Sequence, residues 1–105
     1  MHTAWIMLLL AGFFEVFMAL GLKHTNGFTA FWPSMATIFF GVLSFYSLSQ
    51  SIQVLPIGTA YAVWTGIGAA GTAIIGMAFF GEYCSVLRIV CLMLIILGVS
   101  GLKFF

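Results

Sequence analysis

The chain has 105 residues, 64% of them hydrophobic and only 5% charged, with a net charge of +1 at neutral pH. A water-soluble domain carries about 25% charged residues, so this composition excludes a soluble globular protein and points to an integral membrane protein. One net charge, with no basic run, also excludes a nucleic-acid partner and an electrostatic hold on anionic lipid.

Crossing about 30 Å of hydrocarbon takes about 20 helical residues, and four stretches meet that need. The first covers about 4–22 and ends at Lys23-His24-Thr25-Asn26-Gly27, where Asn-Gly marks a turn. Its start lacks a basic region and its apolar run carries Glu15, so a span is expected and not a cleavable leader. The second span covers about 33–51 and opens at Trp32-Pro33. Proline is tolerated in a first helical turn, and tryptophan suits interface depth. Ser34, Thr37, Gly41, Ser44, Leu48 and Ser51 recur at heptad spacing along it. Such small and hydroxyl residues fit close contact with another helix or a wet cavity. Ser44 could in addition hydrogen-bond a carboxylate.

A short linker over 52–55 leads to Pro56 and the third span, about 57–80. One stripe here is small (Gly58, Ala62, Thr65, Ala69, Thr72, Gly76), and beside it run Tyr61, Trp64, Gly68 and Gly71. Trp64 stands about two turns inside its helix, away from the interface where aromatic belts belong. Tyr61 and Trp64 therefore either fill space or build a cation site, because an indole face attracts organic cations and a phenol can hold a carboxylate. Gly66, Gly68 and Gly71 each cost about 1 kcal/mol against alanine in a helix interior. They are candidates for an alternating-access hinge, with static close packing as the rival. The loop 81–85 precedes a fourth span, about 86–102, which is nearly featureless until GVSGLK. Gly98, Ser100 and Gly101 make that end flat and suited to assembly.

These spans leave loops too short for a soluble module, so one four-helix transmembrane domain over 1–105 is expected, an all-α membrane protein. Cys84 and Cys91, seven apart, read as packing residues, and His2 and His24 have no companion ligand. Neither a metal nor another cofactor is expected. With no nucleophile–base pair in view, an enzyme is not expected either.

The segment LLLAGFFEVFMALGLK (8–23) holds the residue that needs explaining. Glu15 has Ala11, Gly12, Met18 and Ala19 as its helical neighbours. An acid at the bilayer centre costs at least about 2.5–3.5 kcal/mol. No basic residue in the spans can offset this, since Lys23, Arg88 and Lys103 all lie at helix ends. Glu15 is then either protonated or paired with a cation from outside, which is the chemistry of a proton-coupled antiporter. A passive channel with Glu15 as its selectivity ring is the rival. A rotary proteolipid needs only two helices, and a simple pore-former needs no buried acid. Lys23 and Arg88 on one side against Lys103 and the terminal amine on the other bias orientation weakly. Insertion both ways would allow an antiparallel homodimer, supplying the inverted repeat that many transporters carry in one chain. Two Glu15 side chains facing one cavity would then titrate as a pair. That pair would take protons or one organic cation, never both.

With a lone Glu in its first span and LPIGTAYAVWTGIGAAG over Leu55–Gly71, the chain resembles the small multidrug resistance family of bacterial exporters along essentially its whole length. The resemblance implies an antiparallel dimer in the bacterial plasma (inner) membrane that exchanges protons for small organic cations. It makes Glu15 the shared proton and substrate site, lined by Tyr61 and Trp64 and supported by Ser44 and Gly12. AGFFEV, LKHTNGF and WTGIGA are most similar to the guanidinium exporter branch, with the broad-range quaternary ammonium branch as the alternative. Guanidinium matches a carboxylate in a bidentate fork. That branch usually has Trp where this chain has Met18, and often a basic residue where it has Ala30. Met18 is flexible and polarizable, and as a lining residue it should widen selectivity toward small quaternary ammonium cations. The family also contains heterodimers of two related chains, a second option for the partner.

Overall fold

The computed structural model describes residues 2–104, in four helices: α1 (His2–Lys23), α2 (Phe31–Ser51), α3 (Ile57–Phe79) and α4 (Val86–Phe104). All four are long and apolar enough to cross a membrane. The all-α, four-span architecture expected from composition is the one found.

The helix ends follow local chemistry. After Lys23 the chain turns through Asn26, Gly27 and Phe28 at positive φ (51°, 70° and 66°). Buried Thr25 anchors this turn: its hydroxyl donates to the Leu22 carbonyl at 2.9 Å, and its own carbonyl accepts the N–H groups of Thr29 and Ala30. Pro33 falls in the first turn of α2, where its missing N–H leaves no gap in the helical ladder. Pro56, extended at ψ 139°, stands immediately before α3.

α1 is the central helix. It packs on both α2 and α3, α2 touches α3 lightly, and α4 packs chiefly on α3, with Lys103 reaching 5.8 Å over the Trp5 ring of α1. The core lies where α1 meets its neighbours: Ala4, Leu8 and Ala11 against Leu48, Leu55, Ala60, Val63 and Trp64. Small side chains let the helix axes approach, since lipid supplies no hydrophobic drive and packing must hold the helices together. The α2 stripe resolves as a contact surface toward α1. Thr37, Ser44, Leu48 and Ser51 are buried, and a Cβ placed on Gly21 of α1 would stand 2.7 Å from the Thr37 hydroxyl. The small stripe of α3 divides: Thr65 and Ala69 border an open groove against Leu94 and Gly98 of α4, while Gly58 stays exposed.

The molecule is a slab of 39 × 34 × 17 Å. Its thickness is less than two helix diameters of about 10–12 Å each. No residue of α4 is buried.

Candidate functional site

Glu15 lies on the seam between α1 and α3, which run parallel. Three contacts define that seam: a Cβ on Gly12 would stand 2.6 Å from Ile67, one on Gly71 would stand 2.7 Å from Val16, and one on Gly68 would collide with the Glu15 carboxyl group. Gly68 is thus the floor on which the carboxylate rests. Glu15 is half-buried, and its Oε2 is enclosed without a hydrogen-bond partner. A buried carboxylate oxygen left unpaired is costly unless it gains a proton or a cation.

One turn below, a single hydroxyl joins three helices. Ser44 of α2 donates to the Ala11 carbonyl of α1 at 2.6 Å and accepts the indole N–H of Trp64 of α3 at 2.9 Å. The proton of Ser44 therefore goes to a backbone carbonyl and not to a carboxylate. Trp64 is only 4% exposed and forms part of the core. Its ring packs 5.1 Å from Phe45 and 5.3 Å from Tyr61. Tyr61 is 55% exposed and marks the outer edge of this face.

Met18, three residues on from Glu15, turns toward α2. A Cβ on Gly41 would lie 3.2 Å from its sulfur. Phe17 and Phe14 stack on Phe40 beside it, with centroids 5.2 and 6.3 Å apart, and complete an apolar wall between α1 and α2. Spacing placed Gly41 on the helix-contact stripe, but nothing in the sequence paired it with Met18. The three glycines singled out in α3 separate in space. Gly68 and Gly71 face α1, whereas a Cβ on Gly66 would stand 2.5 Å from Val99 of α4. The helix runs unbroken through all three. Among the described residues no group of three His, Cys, Asp or Glu side chains could hold a metal ion.

The profile of the family described as "Small Multidrug Resistance protein" matches residues 3–95. The chain belongs to the small multidrug resistance family. Proteins named "Guanidinium exporter" align with it over nearly their full length. That of Citrobacter freundii is 52% identical over 100 residues, covering 95% of each chain. Those of Proteus vulgaris and Yersinia pestis are 49% and 50% identical, covering 95% of this chain and 96% of theirs. As a small multidrug resistance protein, the chain is a multi-pass protein of the bacterial inner membrane and a transporter of small cations.

Proposed function

We propose that this chain exports guanidinium and related small organic cations in exchange for protons, with Glu15 as the site for which both compete. The observation that carries this is the enclosed, unpartnered Oε2 of Glu15 on a seam otherwise closed by glycine contacts. Guanidinium is planar, permanently charged and donor-only, so it satisfies both oxygens of a carboxylate at once. A proton satisfies the same group by removing its charge. The two states exclude each other, and that exclusion couples the fluxes.

In this scheme Tyr61 marks the outer edge of the site, Ser44 holds Trp64 in the core one turn below it, and Met18 borders it from the α1–α2 side. Gly12 keeps α1 close to α3, while Gly68 and Gly71 let the seam flex during the access change; Gly66 would let α3 move against α4. In a slab 17 Å thick Glu15 is only half-buried, so one chain leaves a cation held there partly uncovered. A second copy in inverted orientation, seated on the outer side of α4, would supply the missing wall, and a related chain could take its place. The chain acts as a carrier and not as an enzyme. Met18 supports a second strand of the same reading: its unbranched side chain over Gly41 can move aside for alkyl groups, which extends the range to small quaternary ammonium cations.

The test is proton-coupled transport in sealed proteoliposomes, with guanidinium beside tetramethylammonium and wild type beside Glu15→Gln. Exchange is expected with both cations, strongest for guanidinium, and none in the variant. Cation flux without proton counter-flow would make the protein a channel, and flux surviving Glu15→Gln would move the site elsewhere.

A further inference from the structure

The chain has only two acidic residues, Glu15 and Glu82, and both lay their carboxylates on one face of α3. The Glu15 carboxyl fills the space left by Gly68, and the Glu82 carboxyl carbon lies 2.6 Å from where a Cβ on Gly76 would be. Positions 68, 72 and 76 follow at i, i+4 and i+8 and so stack along one side of the helix. Eight residues advance about 12 Å. Between the two acids stands Thr72, whose Oγ1 is enclosed without a partner. The Glu15 and Thr72 oxygens are the buried side-chain atoms left unsatisfied among the described residues, and both fall in this row. A helical threonine commonly gives its hydroxyl to the carbonyl one turn back, as Thr65 does to Tyr61 at 2.8 Å. Thr72 keeps its hydroxyl unengaged.

The backbone holds Glu82 in this place. Gly81 turns the chain at φ +70°, and the Glu82 N–H donates to the Gly76 carbonyl at 3.2 Å. The basic groups at this end are engaged elsewhere. Lys23 Nζ sits 5.0 Å over the Phe80 ring, and His24 packs edge-on against that ring at 5.8 Å. Arg88 borders a separate groove with Ala73, Leu87 and Cys91.

We infer that Glu82 is a second, outer cation site, linked to Glu15 through Thr72, where a small hydrogen-bond-donating organic cation pauses between Glu15 and the membrane face that carries the α3–α4 loop. This rests on the proposed exchange at Glu15. Three acceptors in file, on α3 positions about 6 Å apart, suit a cation with N–H groups around its whole edge. It can hold one acceptor while reaching for the next. A tetraalkylammonium ion has no N–H, so it feels the two carboxylates but gains nothing from Thr72.

That difference provides the test. Initial rates of proton-coupled transport are measured in proteoliposomes for guanidinium and tetramethylammonium, using wild type, Glu82→Gln, Glu82→Asp and Thr72→Val. Glu82→Gln should raise KM for both cations, by about tenfold for guanidinium, the scale of one lost hydrogen bond to a charged group, with a smaller change in maximal rate. Glu82→Asp keeps the charge and should recover most of that loss. Thr72→Val, which preserves shape, should raise KM for guanidinium alone. An unchanged KM in Glu82→Gln overturns the outer site, as does a fall in maximal rate alone that the Asp variant shares, because the loop would then be merely structural. If wild type exchanges guanidinium, Glu15→Gln abolishes it and Glu82→Gln is normal, only the outer site fails. If wild type moves no guanidinium, the Glu15 reading fails and takes the outer site with it.

Discussion

Ser44 shows how much one hydroxyl can decide in a membrane. It gives its proton to Ala11 and takes the Trp64 N–H on a lone pair, so three helices share one atom. Ser44→Ala would leave that indole N–H buried and unpaired. Interhelical hydrogen bonds in membranes are worth about 1 kcal/mol, and a drop of that order is expected in stability, read as a lower melting temperature in detergent. A smaller fall in transport should accompany it, since the bond positions Trp64 and does not touch Glu15. Met18 is the residue on which selectivity should turn. Met18→Trp replaces a pliable chain by a rigid ring in the slot above Gly41. Tetramethylammonium transport should fall about tenfold relative to guanidinium, the scale at which a pocket distinguishes small steric differences. An unchanged ratio of the two rates would show that position 18 does not set the range.

Among the elements, α3 carries the most consequence, because its two faces do different things. Gly68 lies under the Glu15 carboxylate, and Gly66 lies under Val99 on the α4 side. Gly68→Ala should therefore slow transport about a hundredfold by pushing the carboxylate out of place, the penalty of a roughly 1 Å misplacement at a working group. Folding should not suffer in proportion, since alanine favours a helix over glycine by about 1 kcal/mol. Gly66→Ala should instead loosen α4, measured as faster proteolysis of the last helix, and leave guanidinium binding to Glu15 intact. If both substitutions acted alike, the helix would be flexing as a whole and the two faces would not be separable. The unbroken run of α3 through its glycines accords with close packing in the captured state.

For the whole molecule, shape outweighs any single contact. The slab leaves Glu15 only half-buried, and α4 adds a helix with no buried residue to one edge. A Cβ at Gly98 would meet nothing within 4 Å, so under the proposed pairing a large side chain there should disturb a partner more than the isolated fold. Gly98→Phe is expected to leave folding unchanged while abolishing both energy transfer between labelled protomers and transport. Energy transfer and transport at wild-type levels would place the partner on another face.

Much of this protein was legible from its sequence, because a chain with almost no charge has one solvent open to it. Four apolar stretches of spanning length then dictate four helices, and a lone acid among them marks the candidate site. Motifs of helix three announce the family whose profile the chain matches. What sequence could not convey was partnership across helices. Heptad spacing put Ser44 on a buried stripe but could not say that Ala11 and Trp64 would claim its hydroxyl. Nor could it say that Gly41 seats Met18, or that the glycines of α3 face different neighbours. The alignment of Glu15, Thr72 and Glu82 along one face of α3 emerges only when a loop folds back over Gly76. Solvent and span follow from hydrophobicity, which each residue carries with it. Contacts between helices depend on rotation and register, which only packing in three dimensions sets.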